Sequence, residues 1–107
     1  AQGDMKTREV VDGYVVSLSA GNTDRLSALI DGSMKTNNRQ LELSPDTYAR
    51  FLQTHYDGVV MTVENLSSVD SGMLARVRFE YPNTESSLID FVLTRVGGQW
   101  KITDEKF

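Results

Sequence analysis

Cysteine is absent from the chain, so disulfides, thiol catalysis and cysteine-ligated zinc are excluded. A single histidine is present, which leaves no paired-histidine metal signature. There is also no phosphate-binding glycine loop, nucleophile elbow or calcium loop, and neither a metal nor a cofactor is expected. No stretch approaches the roughly twenty apolar residues that span a bilayer, so membrane insertion is not expected. The eleven Lys and Arg are scattered and outnumbered by fifteen acids, for a net charge of −4. That balance argues against nucleic acid, which needs a basic stripe, and against a membrane surface.

What is present suits one globular domain. At 107 residues the chain can build a single core and not two. There is no internal repeat, linker or low-complexity tract. The sequence begins Ala1-Gln2-Gly3-Asp4 without Met, as after removal of a signal peptide or after trimming, and an exported protein is the reading we lean towards. Residues 1–4 are small and polar and are expected to fray, leaving 5–107 as the domain.

The organising stretch is at the end. Residues 88–96 and 99–104 alternate in polarity around Gly97-Gly98, and two adjacent glycines adopt the positive φ angles of a tight hairpin turn without strain. With Val96 opposite Gln99, the pairs Arg95–Trp100, Leu93–Ile102 and Phe91–Asp104 share one face. Thr94–Lys101, Val92–Thr103 and Asp90–Glu105 share the other. The first face carries the large apolar side chains and is expected to be buried.

Upstream, Val10, Val11, Tyr14, Val15 and Leu18 form the stripe of an amphipathic helix over 5–20, ended by Gly21. Gly13 lies inside it at a cost of about 1 kcal/mol, read as a surface glycine or as a close approach to a strand. Asn22 or Thr23 caps a second helix carrying Leu26, Leu29 and Ile30, with Gly32 as its stop. Residues 33–39 have turn composition, and 40–43 alternate enough for one short strand. Ser44-Pro45-Asp46 starts a third helix, whose Tyr48, Phe51, Leu52, His55 and Tyr56 share one aromatic-rich face. From Val59 the period is two. A strand to about Glu64 is followed by one in which Met73, Ala75, Val77, Phe79 and Tyr81 share a face, and then by the closing hairpin. The expected fold class is α+β: three N-terminal helices on the concave face of a curved antiparallel sheet of four strands plus the short one.

The chain resembles the nuclear-transport-factor-2-like superfamily, the cone-shaped fold shared with ketosteroid isomerase, scytalone dehydratase and polyketide cyclases. The resemblance rests on Ala20-Gly21-Asn22-Thr23-Asp24-Arg25-Leu26 after the first helix, on the third helix before the sheet, and on Arg95-Val96-Gly97-Gly98-Gln99-Trp100-Lys101-Ile102. It implies a pocket between the helices and the sheet, and frequent dimerisation through the sheets. Such a fold hosts enzymes, binding modules and assembly domains alike.

Candidate site residues follow from the inward face: Tyr14, Tyr48, Phe51, His55, Phe79, Phe91, Trp100 and Asp104 as pocket lining. Asp104 opposite Phe91 would be a costly inward carboxylate unless it frays into water. Arg95 and Trp100 are expected to form a cation–π lid, with an anion-binding role for Arg95 as the alternative. On the outer face Leu74, Leu88, Val92 and Val96 make a homodimer through the sheet the expected partnership. The leading expectation is a non-catalytic domain that binds a small apolar molecule or a protein partner. The alternatives are an isomerase- or cyclase-type enzyme using Tyr14, His55 and Asp104, and an accessory or assembly domain of an exported complex.

Overall fold

The structure, a computed structural model, describes residues 2–38 and 42–106. Helix α1 (Gln2–Ala20) begins at Gln2, ahead of the start that its apolar stripe predicts. Val11, Tyr14, Val15 and Leu18 are buried along one of its faces. Gly21, at φ 70°, ends it. Helix α2 (Thr23–Leu29) starts where Asn22 accepts the Arg25 backbone N–H at 3.2 Å. Helix α4 (Pro45–His55) starts where Ser44 accepts the Thr47 N–H at 3.3 Å.

Between these lies an element that composition did not announce, α3 (Gly32–Thr36). The Asp31 carboxylate caps it by accepting the Gly32 N–H at 2.8 Å. Helix α2 ends at Leu29 with Ile30 already extended, so Gly32 starts α3 and is not the stop of α2. Of the short strand expected at 40–43, Gln40 and Leu41 lie outside the described residues, and neither Glu42 nor Leu43 belongs to a strand.

Strands β1 (Val60–Val69), β2 (Gly72–Glu80), β3 (Ser87–Val96) and β4 (Gln99–Lys106) form one open antiparallel sheet in chain order. The α+β class is thus as expected, with helices packed against the sheet. Helix α1 packs on β1 and β4, and α3 lies on β4. Ile30 bridges Ile102, and the Asp31 N–H donates to the Ile102 carbonyl at 2.9 Å. The link from α2 to α3 thereby occupies part of an edge that would otherwise be open for pairing.

Near the hairpin the register is as read from the turn. Gly97 and Gly98 have φ of 60° and 80°, Val96 pairs with Gln99, and Leu93 pairs with Ile102. Both Leu93 and Ile102 are 0 % exposed, which fixes this as the core face. Phe79, Phe91, Ala75 and Val77 fill the same layer. An aromatic chain runs through it: Tyr14 meets Phe91 edge-on at 5.4 Å, Phe91 meets Phe79 at 6.3 Å, and Phe79 meets Tyr56 at 6.2 Å. Such pairs add about 0.5–1.5 kcal/mol each beyond the area they bury.

Past Ile102 the register slips. Val92 pairs with Asp104 and Phe91 with Glu105, leaving Thr103 as an extra residue on β4. This β-bulge overturns the pairings Val92–Thr103, Phe91–Asp104 and Asp90–Glu105. One inserted residue exchanges the two faces from that point on. The bulge is held on both sides. Thr94 donates its hydroxyl to the Thr103 hydroxyl at 3.2 Å, and Gly32 packs so closely that a Cβ there would lie 3.3 Å from the Thr103 Cβ.

Gly13 is corrected as well. It is buried, and it faces α2 rather than solvent or a strand. A Cβ at Gly13 would lie 2.9 Å from Arg25 Nη2 and 3.3 Å from Leu29 Cδ1.

Candidate functional site

The bulge and α3 together shape a cleft of about 390 Å³. Helix α1 contributes Tyr14 and Leu18. Helix α3 and the turn after it contribute Ser33, Met34, Asn37 and Asn38. Helix α4 and its end contribute Tyr48, Phe51, Leu52, His55 and Tyr56, and β4 contributes Asp104 and Glu105. The helical side chains arrive because i, i+3, i+4, i+7 and i+8 positions of α4 share one face, while β4 presents its carboxylates through the slipped register.

Five of the eight expected pocket residues border this cleft: Tyr14, Tyr48, Phe51, His55 and Asp104. Phe79 and Phe91 lie beneath, each 1 % exposed, as core. Trp100 is elsewhere, half-buried on a second groove beside Arg95, whose Cζ is 5.1 Å from the indole centroid.

Glu105 is the residue that alternation misplaced. It is half-buried, and burial foremost, with the neighbouring Asp104 charge second, pushes its carboxyl above the usual glutamate range. The charge of Glu105 is felt by two ring hydroxyls. Tyr14 is raised by burial first, with Tyr56 and Glu105 adding to it, and burial leads the causes that push Tyr56 up to about 12. Both phenols therefore stay protonated at neutral pH and remain available as donors. Tyr48 is also raised by burial, against which the Asn38 amide, donating to its hydroxyl at 2.9 Å, pulls the other way.

Asp104 has a local role. One of its oxygens accepts the Glu105 backbone N–H at 2.9 Å, which ties down the strand just past the bulge. His55 is exposed, stacks on Phe51 at 5.7 Å and meets Tyr56 edge-on at 4.7 Å. Among the described residues no hydrogen bond joins the side chains of Tyr14, His55, Asp104 and Glu105 to one another. Among the described residues no lysine or arginine lines the cleft, and His55 is the one basic side chain they place on the wall with the two carboxylates. Among the described residues no three His, Asp or Glu side chains cluster to hold a metal, and no helix is long and apolar enough to cross a membrane.

Alternation along the sequence gave no signal of Glu105, because the bulge at Thr103 is what turns it inward. Ser33, Met34, Asn37 and Asn38 gave no signal either, because a five-residue helix is too short for a periodic stripe. The chain matches no protein-family model, and no curated protein is matched either.

Proposed function

We propose that this chain is a non-catalytic small-ligand-binding domain of the cone-shaped, nuclear-transport-factor-2-like type, with the cleft as its site. One observation carries the reading: aromatic rings and ring hydroxyls converge on an inward, half-buried carboxyl, with no lysine or arginine among the described residues of the cleft wall. A volume of about 390 Å³ lies within the range of small-molecule sites. Leu18, Met34, Leu52 and Phe51 offer apolar contact. The polar rim asks more of a ligand than the purely apolar molecule expected from sequence. The fitting occupant has a compact apolar body and an amine or hydroxyl end that donates to Glu105.

The test is a fluorescence titration with N-phenyl-1-naphthylamine, a probe with an apolar body and one N–H donor. Saturable binding that weakens in Met34→Trp, which fills the cleft, supports the reading. Equal binding by the parent chain and the filled variant, or none by either, contradicts it.

Convergence of Tyr14, His55 and Asp104 on one cleft, with Glu105 as a further carboxyl, is the observation that favours an isomerase-type second reading. It would show as protein-dependent solvent deuterium exchange into a cyclic β,γ-unsaturated ketone, lost in Glu105→Gln. Exchange no faster than in buffer ends it. The expected homodimer remains part of the proposal. On the outer sheet face Arg78 pairs with Glu64 and Arg76 with Asp90, which neutralises the charges around partly exposed Leu74, Leu88, Val92 and Val96. Sedimentation showing only monomer would remove it.

A further inference from the structure

The second groove, about 420 Å³, lies on the other side of α1, between that helix, α2 and the start of β4. In a chain with net charge −4, four cations border it: Lys6, Arg25, Arg95 and Lys101. Glu9 is the one carboxylate among the described lining residues. The ion pairs among the described residues are Arg8–Asp12, Arg76–Asp90 and Arg78–Glu64, so none of the four is neutralised by one.

Three of these cations are held in place by contacts that leave their charge intact. Arg25 lies flat against α1 because Gly13 has no side chain, a Cβ at Gly13 falling 2.9 Å from Nη2. The glycine that costs α1 about 1 kcal/mol thereby seats a guanidinium. Lys101 donates its ammonium to the carbonyl of Ala28 in the last turn of α2, the negative end of that helix. Arg95 stacks over Trp100. Like charges fixed around a concave surface repel one another and focus a positive potential there. A bound anion would stabilise that arrangement.

We propose that this groove binds a small soluble oxyanion carrying two or more negative charges, of the phosphate-ester or polycarboxylate class. Guanidinium groups of Arg25 and Arg95 supply forked donors for its oxygens, and Lys6 and Lys101 add point charge. The site is separate from the carboxylate-bearing cleft, so the two stand or fall independently.

Trp100 is the single tryptophan and gives one indole N–H resonance as a reporter in the groove wall. Titrating the intact chain with pyrophosphate or citrate at constant ionic strength is expected to move that resonance along a saturable curve, with affinity falling as salt is raised. Arg25→Gln is expected to weaken binding about tenfold or more, as loss of a charged hydrogen bond does. Gly13→Ala, which displaces the guanidinium without removing charge, weakens it in the same direction. Lys35→Gln, whose residue is not on the groove wall, leaves it unchanged. A non-saturating shift, an equal shift from chloride, or unaltered affinity in Arg25→Gln would overturn the proposal. Stronger binding to phosphatidylglycerol vesicles than to either soluble anion would overturn the assignment to a soluble ligand.

Discussion

At the scale of single residues, Glu105 and Trp100 give the clearest tests. Because the folded chain raises the Glu105 carboxyl above its unfolded value, the folded state binds that proton more tightly. Glu105 therefore contributes stability that is fully present below its unfolded pKa and is lost as pH rises through its folded one. Glu105→Gln is expected to raise the thermal midpoint at neutral pH, with the gain shrinking as pH falls below the ordinary glutamate range. A gain that is the same at both pH values would mean that Glu105 is in water. Trp100 is half-buried against the core, and its Nε1 is covered without a hydrogen-bond partner among the described residues. Trp100→Ala loses packing and also removes an unpaired donor. The expected cost is about 2–3 kcal/mol, below the 3–5 of a fully buried aromatic. Urea unfolding checks it, and a loss below about 1 kcal/mol would mean that the ring does not pack on the core.

At the scale of elements, glycines that look alike in sequence have different roles. Gly97 and Gly98 need positive φ but have open space around them, so Gly97→Ala is expected to cost about 1–2 kcal/mol. Gly72, at the start of β2, is different: a Cβ would fall 2.0 Å from the Leu93 carbonyl oxygen, which is backbone and cannot give way. Gly72→Ala must part β2 from β3, and a loss of about 3 kcal/mol or more is expected. Equal midpoint losses for the two variants in urea would contradict this. The hairpin, the capped helix at Ser44 and the β2 face were legible because each depends on neighbours in sequence: two glycines, a hydroxyl before a proline, a clean period of two. The bulge at Thr103 was not, because what holds it is Gly32 and Thr94, which come from α3 and β3. Helix α3 and the packing of Gly13 on α2 were hidden for the same reason. Their causes are contacts between segments, which no local pattern records.

At the scale of the whole molecule, α1 separates two concave surfaces whose described linings differ in charge. One holds two carboxylates among aromatic rings, and the other four cations beside a tryptophan. Even charge scattering along the sequence concealed this, since Lys6, Arg25, Arg95 and Lys101 are brought together only by the fold. Both surfaces depend on how β4 runs, because it contributes Trp100 and Lys101 to one and, past its bulge, Glu105 to the other. The functional reading rests most heavily on Glu105, and on one extra residue turning it inward. A carbon-detected pH titration that follows the side-chain carboxyls together with the Tyr14 and Tyr56 ring signals tests this directly. The Glu105 carboxyl should inflect above the ordinary glutamate range, with both rings moving at the same pH. A Glu105 inflection within that range, with neither ring following it, would contradict the slipped register and the cleft built on it.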